Sequence, residues 1–243
     1  MTHPIVVGVD ASAPSRAAAE WAAGDAELRG LPLRVVHIEG ADPTEGVAAA
    51  LLSLGSRASC TVLGLRGAGG VPGSAVGSVA REVAARSDRP VVLVPGGGLG
   101  RTDGEWHTDQ VALGMDARDP VSAVMDFAFD AARRRGARLH AVHAWRLPSL
   151  AERWMPYAMP EEDRGAWEDQ EVQLLSDALR PWREKYPRAD VYEDVRLQSP
   201  PAALVHASAS AGLLVVGRAG RTLGPTLDAV LEHTECPVAV VPR

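Results

Sequence analysis

Cysteine and lysine are scarce in this chain of 243 residues, and long apolar runs are missing altogether. The two cysteines, Cys60 and Cys236, stand far apart and have no His or Cys neighbour at metal-ligand spacing. Both read as buried, inert thiols, with redox sensing as the lesser alternative. Lysine occurs once, at Lys185; the other basic residues are arginines. Asp and Glu outnumber Lys and Arg by 31 to 25, giving a net charge of -6. That balance argues against a basic surface of the kind that neutralises duplex phosphates. No apolar run approaches the ~18 residues of a membrane-spanning helix. Met1 to Pro4 lead straight into a strand pattern without the features of a signal peptide. The expectation is a cytoplasmic protein with neither nucleic acid nor membrane as a partner.

What is present is a soluble globular composition, 46% hydrophobic and 23% charged, with room for one large domain or two ordinary ones. The chain also repeats itself. IVVGVD at 5–10 matches VALGMD at 111–116. Each is followed by a helical pattern ending in Arg-Gly, over 14–30 and 120–136. LRVVHI at 33–38 then matches RLHAVHAW at 138–145, and VLGLRG at 62–67 matches VVGRAG at 215–220. Both copies close alike, with RPVVLVP at 89–95 and CPVAVVP at 236–242. Matching landmarks in one order indicate a tandem duplication. The expected domains are 1–98 and 110–243, joined by a Gly-rich, charged linker over 99–109.

The strand patterns are near-continuous Val, Ile and Leu, as in strands covered on both faces, and they alternate with helices. The expected fold class is therefore α/β, with two open parallel sheets of Rossmann-like type. In such sheets ligands bind beyond the carboxyl ends of the strands, where strand order reverses. The copies are unequal. The second has a long helical segment over about 161–185 and a strand at 191–197, and the first has no counterpart of either. Four strands are expected in the first sheet and five in the second. The missing strand is expected at an edge, where only one ladder depends on it.

The loop after VLG or VVG is unequal in the opposite sense. Gly64-Leu65-Arg66-Gly67 is followed by nine residues and then Gly77-Ser78. Gly217-Arg218-Ala219-Gly220 is followed by three residues and then Gly224-Pro225, six fewer. A Gly-rich strand-to-helix connection can cradle phosphate, because backbone amides approach the anion and the helix start adds unpaired N–H groups. Ser78 would add a hydroxyl. No Lys follows, so this is not a Gly-Lys-Ser/Thr loop, and fast phosphoryl transfer loses its usual charge.

The pattern Gly64-x2-Gly67-x9-Gly77-Ser78 resembles the signature of ATP-binding universal stress proteins, and the resemblance extends over both copies. It implies a sheet ordered 3-2-1-4-5 with strand 3 at the edge, and pairing of domains through their last strands, here 91–94 and 238–241. It implies ATP as ligand, alone or with Mg2+. By the same resemblance Gly8, Val9 and Asp10 line the adenine and ribose, with Ile38 against the adenine. Leu63 and Gly64 then flank ribose and phosphates, and Gly67, Gly77, Ser78 and Val79 hold the phosphates. The second copy keeps Asp116, Gly217, Gly220 and Gly224 as a degenerate site without the arm.

Plainer readings stand beside these. Asp10 can be a turn residue before the first helix. Arg66 can reach a phosphate or face solvent. His37, His140 and His143 read as core or edge imidazoles, since no second metal ligand lies at helix or strand spacing. Trp154, Tyr157 and Trp167 are expected to pack a long linker and helix onto the sheet. No catalytic set is visible, so weak ATP hydrolysis has no residue to name as base. The function expected first is a nucleotide-dependent regulatory protein of the stress response, binding ATP or a related adenine nucleotide in the first copy only. An interaction module without nucleotide, and a slow nucleotide-processing enzyme, remain as alternatives. A homodimer is left open.

Overall fold

The computed structural model describes residues 3–37, 45–66, 76–96, 109–146 and 161–243. Ile38, Gly67, Trp154, Tyr157 and nearly all of the expected linker lie outside them. The chain runs β1 (Ile5–Val9), α1 (Ala13–Arg29), β2 (Leu33–His37), α2 (Glu45–Gly55), β3 (Cys60–Gly64), α3 (Ser78–Arg86) and β4 (Val91–Val94). It continues with β5 (Gln110–Gly114), α4 (Ser122–Arg135), β6 (Arg138–Trp145), α5 (Glu161–Lys185) and β7 (Val191–Leu197). Last come α6 (Pro200–Ser208), β8 (Leu213–Arg218), α7 (Pro225–His233) and β9 (Val238–Pro242). No helix among the described residues is long and apolar enough to cross a membrane.

Local sequence explains the helix ends. Ser12 caps α1 by accepting the Ser15 N–H, and Pro14 occupies the first turn, where its missing N–H costs nothing. α1 and α4 each end in Arg followed by a left-handed glycine, Gly30 at φ 62° and Gly136 at φ 61°. Only glycine takes that conformation without a steric penalty.

All nine strands form one sheet, in the order β2-β1-β3-β4-β9-β8-β5-β6-β7. Every neighbouring pair is parallel except β4 and β9, which run antiparallel. Two open half-sheets thus join at their last strands. The C-terminal half reads β7-β6-β5-β8-β9, and the described residues of the N-terminal half have the same winding without the outermost strand. As expected from sequence, the missing unit is the edge strand and the helix before it. The register at the seam is Val91 with Val240, Val92 with Ala239, and Leu93 with Val238. Val92 and Ala239 are the second residues of their strands, so equivalent positions face each other, as about a local two-fold axis.

Each face of the sheet carries one apolar cluster that crosses the seam. On one face α1, α4 and α5 cover Ile5, Val7, Val62, Leu113, Leu139 and Val215. On the other, α2, α3, α6 and α7 cover Leu63, Leu93, Val142, Leu214 and Val240. Trp167 departs from expectation: it is exposed, near the start of α5.

Ion pairs fasten the halves across both faces. Asp25 of α1, 2% exposed, accepts Arg29 Nε at 2.7 Å and Arg135 Nη2 of α4 at 2.6 Å. The two arginines also stack crosswise, Arg29 over Phe127 and Arg135 over Trp21. On the opposite face Arg81 of α3 pairs with Asp228 of α7. Removing one partner of a buried pair leaves charge without compensation. Asp25→Ala is therefore expected to lower the unfolding free energy by about 3–5 kcal/mol. Urea titration of wild type and variant checks this, and a loss below about 1 kcal/mol, the range of an exposed pair, contradicts it.

Candidate functional site

In the N-terminal half strand order reverses between β1 and β3, so their carboxyl ends flank a switch point. Gly8, Val9 and Leu63 are buried in the strand ends. The Leu65 N–H donates to the Val94 carbonyl at 2.7 Å, and the Gly77 N–H donates back to the Leu65 carbonyl at 2.8 Å. Gly64, Leu65 and Arg66 are thereby drawn against the start of α3, where Gly77 is the N-cap and Ser78 the first residue. Gly77 offers no side-chain oxygen, so among the described residues no side chain caps the first N–H groups of α3. Ser78 and Arg66 are exposed, while Val79 packs on the cluster below.

Close approach of backbone explains Gly64. A Cβ there would stand 2.8 Å from the Pro14 carbonyl carbon and 2.9 Å from the Ser15 nitrogen. Real Cβ atoms do not come so close to backbone, so the first turn of α1 can lie over the end of β3 only because residue 64 lacks a side chain. Gly96 gives Pro14 room from the other side, with a Cβ position 2.9 Å from the proline ring.

Asp10 and Asp116 do the same local work. Asp10 Oδ1 accepts the Ser12 N–H at 2.8 Å, and Asp116 Oδ1 accepts the Arg118 N–H at 3.0 Å. Each makes a turn at the end of the first strand of its half. Ser12, rather than Asp10, caps α1.

The C-terminal half holds a cleft of about 570 Å³ at the carboxyl ends of β5, β6 and β8. Asp116, Gly217 and Gly224 line it; Gly220, at φ 68°, instead lends its carbonyl to Arg218. The walls are apolar through Val124, Leu204 and Leu227, with Arg118, Arg146 and Arg243 among the charged residues. Trp145 belongs to the lining, and its buried indole N–H has no acceptor among the described residues.

Sequence reading missed the charge network under this cleft. The Ala117 N–H donates to His143 Nδ1 at 3.3 Å, and His143 Nε2 lies 3.1 Å from Glu171 Oε2. The other Glu171 oxygen takes Arg118. Glu171 comes from α5, 28 residues beyond His143, and no spacing rule joins residues so far apart. His37 occupies the matching strand position in the N-terminal half, where α5 has no counterpart, and is exposed. His140 is buried between Gln110 and Asp194, 3.1 and 2.8 Å away, at the opposite end of the strands. Both cysteines are buried, and burial pushes the Cys60 thiol up to about 12, which keeps it unreactive.

Comparison with known proteins places these features. The model of the universal stress protein family matches residues 1–59 and 107–242, and so stops short of the Gly64–Ser78 segment. A universal stress protein of Mycobacterium tuberculosis is 30% identical over 292 aligned positions, covering 98% of this chain and 96% of the relative. One from Mycolicibacterium smegmatis is 29% identical over 297 positions, covering 98% and 97%. Both alignments have more positions than this chain has residues, so the relatives carry segments that it lacks. The crystal structure of a universal stress protein from Archaeoglobus fulgidus shares the fold, with a TM-score of 0.62, 16% identity, and 99% and 96% coverage.

The Glu171 carboxyl has a testable pH signature. Burial works against its charge, but hydrogen bonds and charge from Arg118 and His143 outweigh burial and hold it below its ordinary value of 4.5. A depressed carboxylate stabilises the fold well above 4.5, and that stabilisation is lost as pH falls through the folded-state value. Glu171→Gln is thus expected to be less stable than wild type near neutral pH and to show a shallower acid limb. Melting temperatures measured from pH 7 downward decide this; parallel curves for the two proteins contradict it.

Proposed function

This chain belongs to the universal stress protein family, and from that premise we propose that it is a stress-response regulatory protein that binds ATP, or a related adenine nucleotide, in its N-terminal half. The observation that carries the reading is the closure of Gly77 onto Leu65. It brings a glycine that admits no side chain, the end of a buried strand, and a helix N-terminus without a side-chain cap into one corner at the switch point. Such a corner offers backbone N–H groups and the positive end of a helix dipole to an anion.

In this reading Gly8, Val9 and Asp10 line the base and ribose, with Ile38 against the base. Leu63 and Gly64 flank the ribose and phosphates. Arg66, Gly67, Gly77, Ser78 and Val79 hold the phosphates, and any Mg2+ enters with them. The nucleotide supplies charge and hydrogen-bond acceptors; the chain binds and orients it. No residue of the corner is assigned as a base, so the nucleotide acts as a ligand. Residues 1–98 and 110–243 are read as two domains, with 99–109 between them.

The C-terminal cleft favours a second reading, in which that half also holds a ligand. Its volume falls within the range of small-molecule pockets, about 300–1,000 Å³. The indole N–H of Trp145 has no acceptor among the described residues. With the arm six residues shorter than its N-terminal counterpart, such a ligand would be smaller at its phosphate end.

Calorimetric titration with ATP tests the first reading. Wild type is expected to bind one ATP, and Ser78→Ala to bind about tenfold more weakly, the loss of one charge-assisted hydrogen bond. Gly77→Ala is expected to weaken binding as well. No heat at millimolar ATP overturns the proposal. Two equivalents bound, with Asp116→Ala as damaging as Asp10→Ala, replaces the one-site reading with the second.

A further inference from the structure

We infer that the C-terminal half braces the proposed nucleotide site, with Arg218 as the positioning residue that holds α3. The inference rests on the N-terminal corner being that site. α3 supplies Ser78 and Val79 from its first turn, but its middle and far end are held by the other half. Arg81 pairs with Asp228 of α7. Arg221 Nη2 donates to the Arg86 carbonyl at 3.3 Å. Arg218 Nη2 donates to the carbonyl of Ser87, the residue that ends the helix.

Arg218 is an unusual side chain. It is 3% exposed, and among the described residues no carboxylate comes within ion-pair distance of it. Among the described residues its hydrogen bonds go to two carbonyls, those of Ser87 and Gly220, and its Nε has no partner. Burial disfavours its charge, lowering its pKa. A guanidinium buried this way is costly, and the charge of Asp88 and the carbonyl end of α3 both work against that cost.

Among the described residues the brace runs one way only. Arg218 stands one residue after the glycine of β8, and Leu65 stands one residue after the glycine of β3. An apolar Leu65 cannot bond the carbonyl of Thr234, which ends α7. The shortened loop of the C-terminal half, where phosphate would otherwise be held, is spent on gripping the helix of its neighbour. α3 has nine residues and spans about 13 Å. So short a helix moves as a rod, and its first N–H groups must sit within about 0.5 Å of their productive place to hold a ligand well.

The test substitutes Arg218→Leu, the side chain that the other half carries at this place, and Arg218→Lys, which keeps a donor. Both are made in the full chain. ATP affinity is read by calorimetry, and amide hydrogen exchange is read in α3, with α5 as control. Arg218→Leu is expected to weaken ATP binding by between about twofold and thirtyfold and to speed exchange in α3 but not in α5. Arg218→Lys is expected to recover part of both. Unchanged ATP affinity in Arg218→Leu, or faster exchange spread evenly over α3 and α5, overturns the inference. If wild type binds no ATP, the site reading falls on its own. Exchange in α3 then decides the brace: selective loosening upholds it and its absence overturns it.

Discussion

The antiparallel ladder between β4 and β9 is the contact on which the rest of the molecule depends. A parallel half-sheet of four or five strands ends in a row of unpaired N–H and C=O groups, and those groups need partners. Pairing the two last strands removes one open edge from each half. It also places α3 beside α7 on one face and α1 beside α4 on the other. The buried Asp25–Arg135 contact and the Arg81–Asp228 contact exist only because of that placement. Both apolar clusters cross the seam, so neither half has a core of its own that stops at its last strand.

Within this frame, the loop after the next-to-last strand of each half differs in what it touches. In the N-terminal half it begins at a glycine pressed against the Pro14 backbone and returns at Gly77 to start α3. In the C-terminal half it is short, and its arginines turn away from the cleft toward the end of α3. The cleft it leaves behind is lined by Arg118 and His143, both joined to the buried Glu171 of α5, a helix without a counterpart among the described residues of the N-terminal half. One half keeps the loop and lacks the outer support; the other keeps the support and has shortened the loop.

Much of this was legible in the residues. The helix expected over 161–185 and the strand expected over 191–197 coincide with α5 and β7, because long periodic patterns and β-rich runs are decided locally. The missing edge unit followed from counting elements between landmarks. Gly64 was marked for phosphate, but the structure adds a second reason for it, the close approach of Pro14. Other features had no local signal. Glu171 reaches His143 across 28 residues, and Arg218 reaches Ser87 across 131. Such contacts are set by which elements the sheet brings together, and neither composition nor spacing encodes that. Trp167 misled for the opposite reason: aromatic residues usually pack, and helical spacing sets this one on the face of Glu171 and Leu175, yet it is exposed.

Arg81 and Asp228 are each the fourth residue of their helix, and they meet near the local two-fold axis. In an assembly of identical subunits, a residue on such an axis confronts its own copy, so a charge there repels itself. Two halves on one chain escape that rule. Each can mutate without its mirror image changing too, and opposite charges can be written into a position that symmetry would otherwise have forced to be neutral. Covalent linkage has thus converted a self-complementary seam into a lock with two unlike sides, and with it came the freedom for one side to give up a task and serve the other.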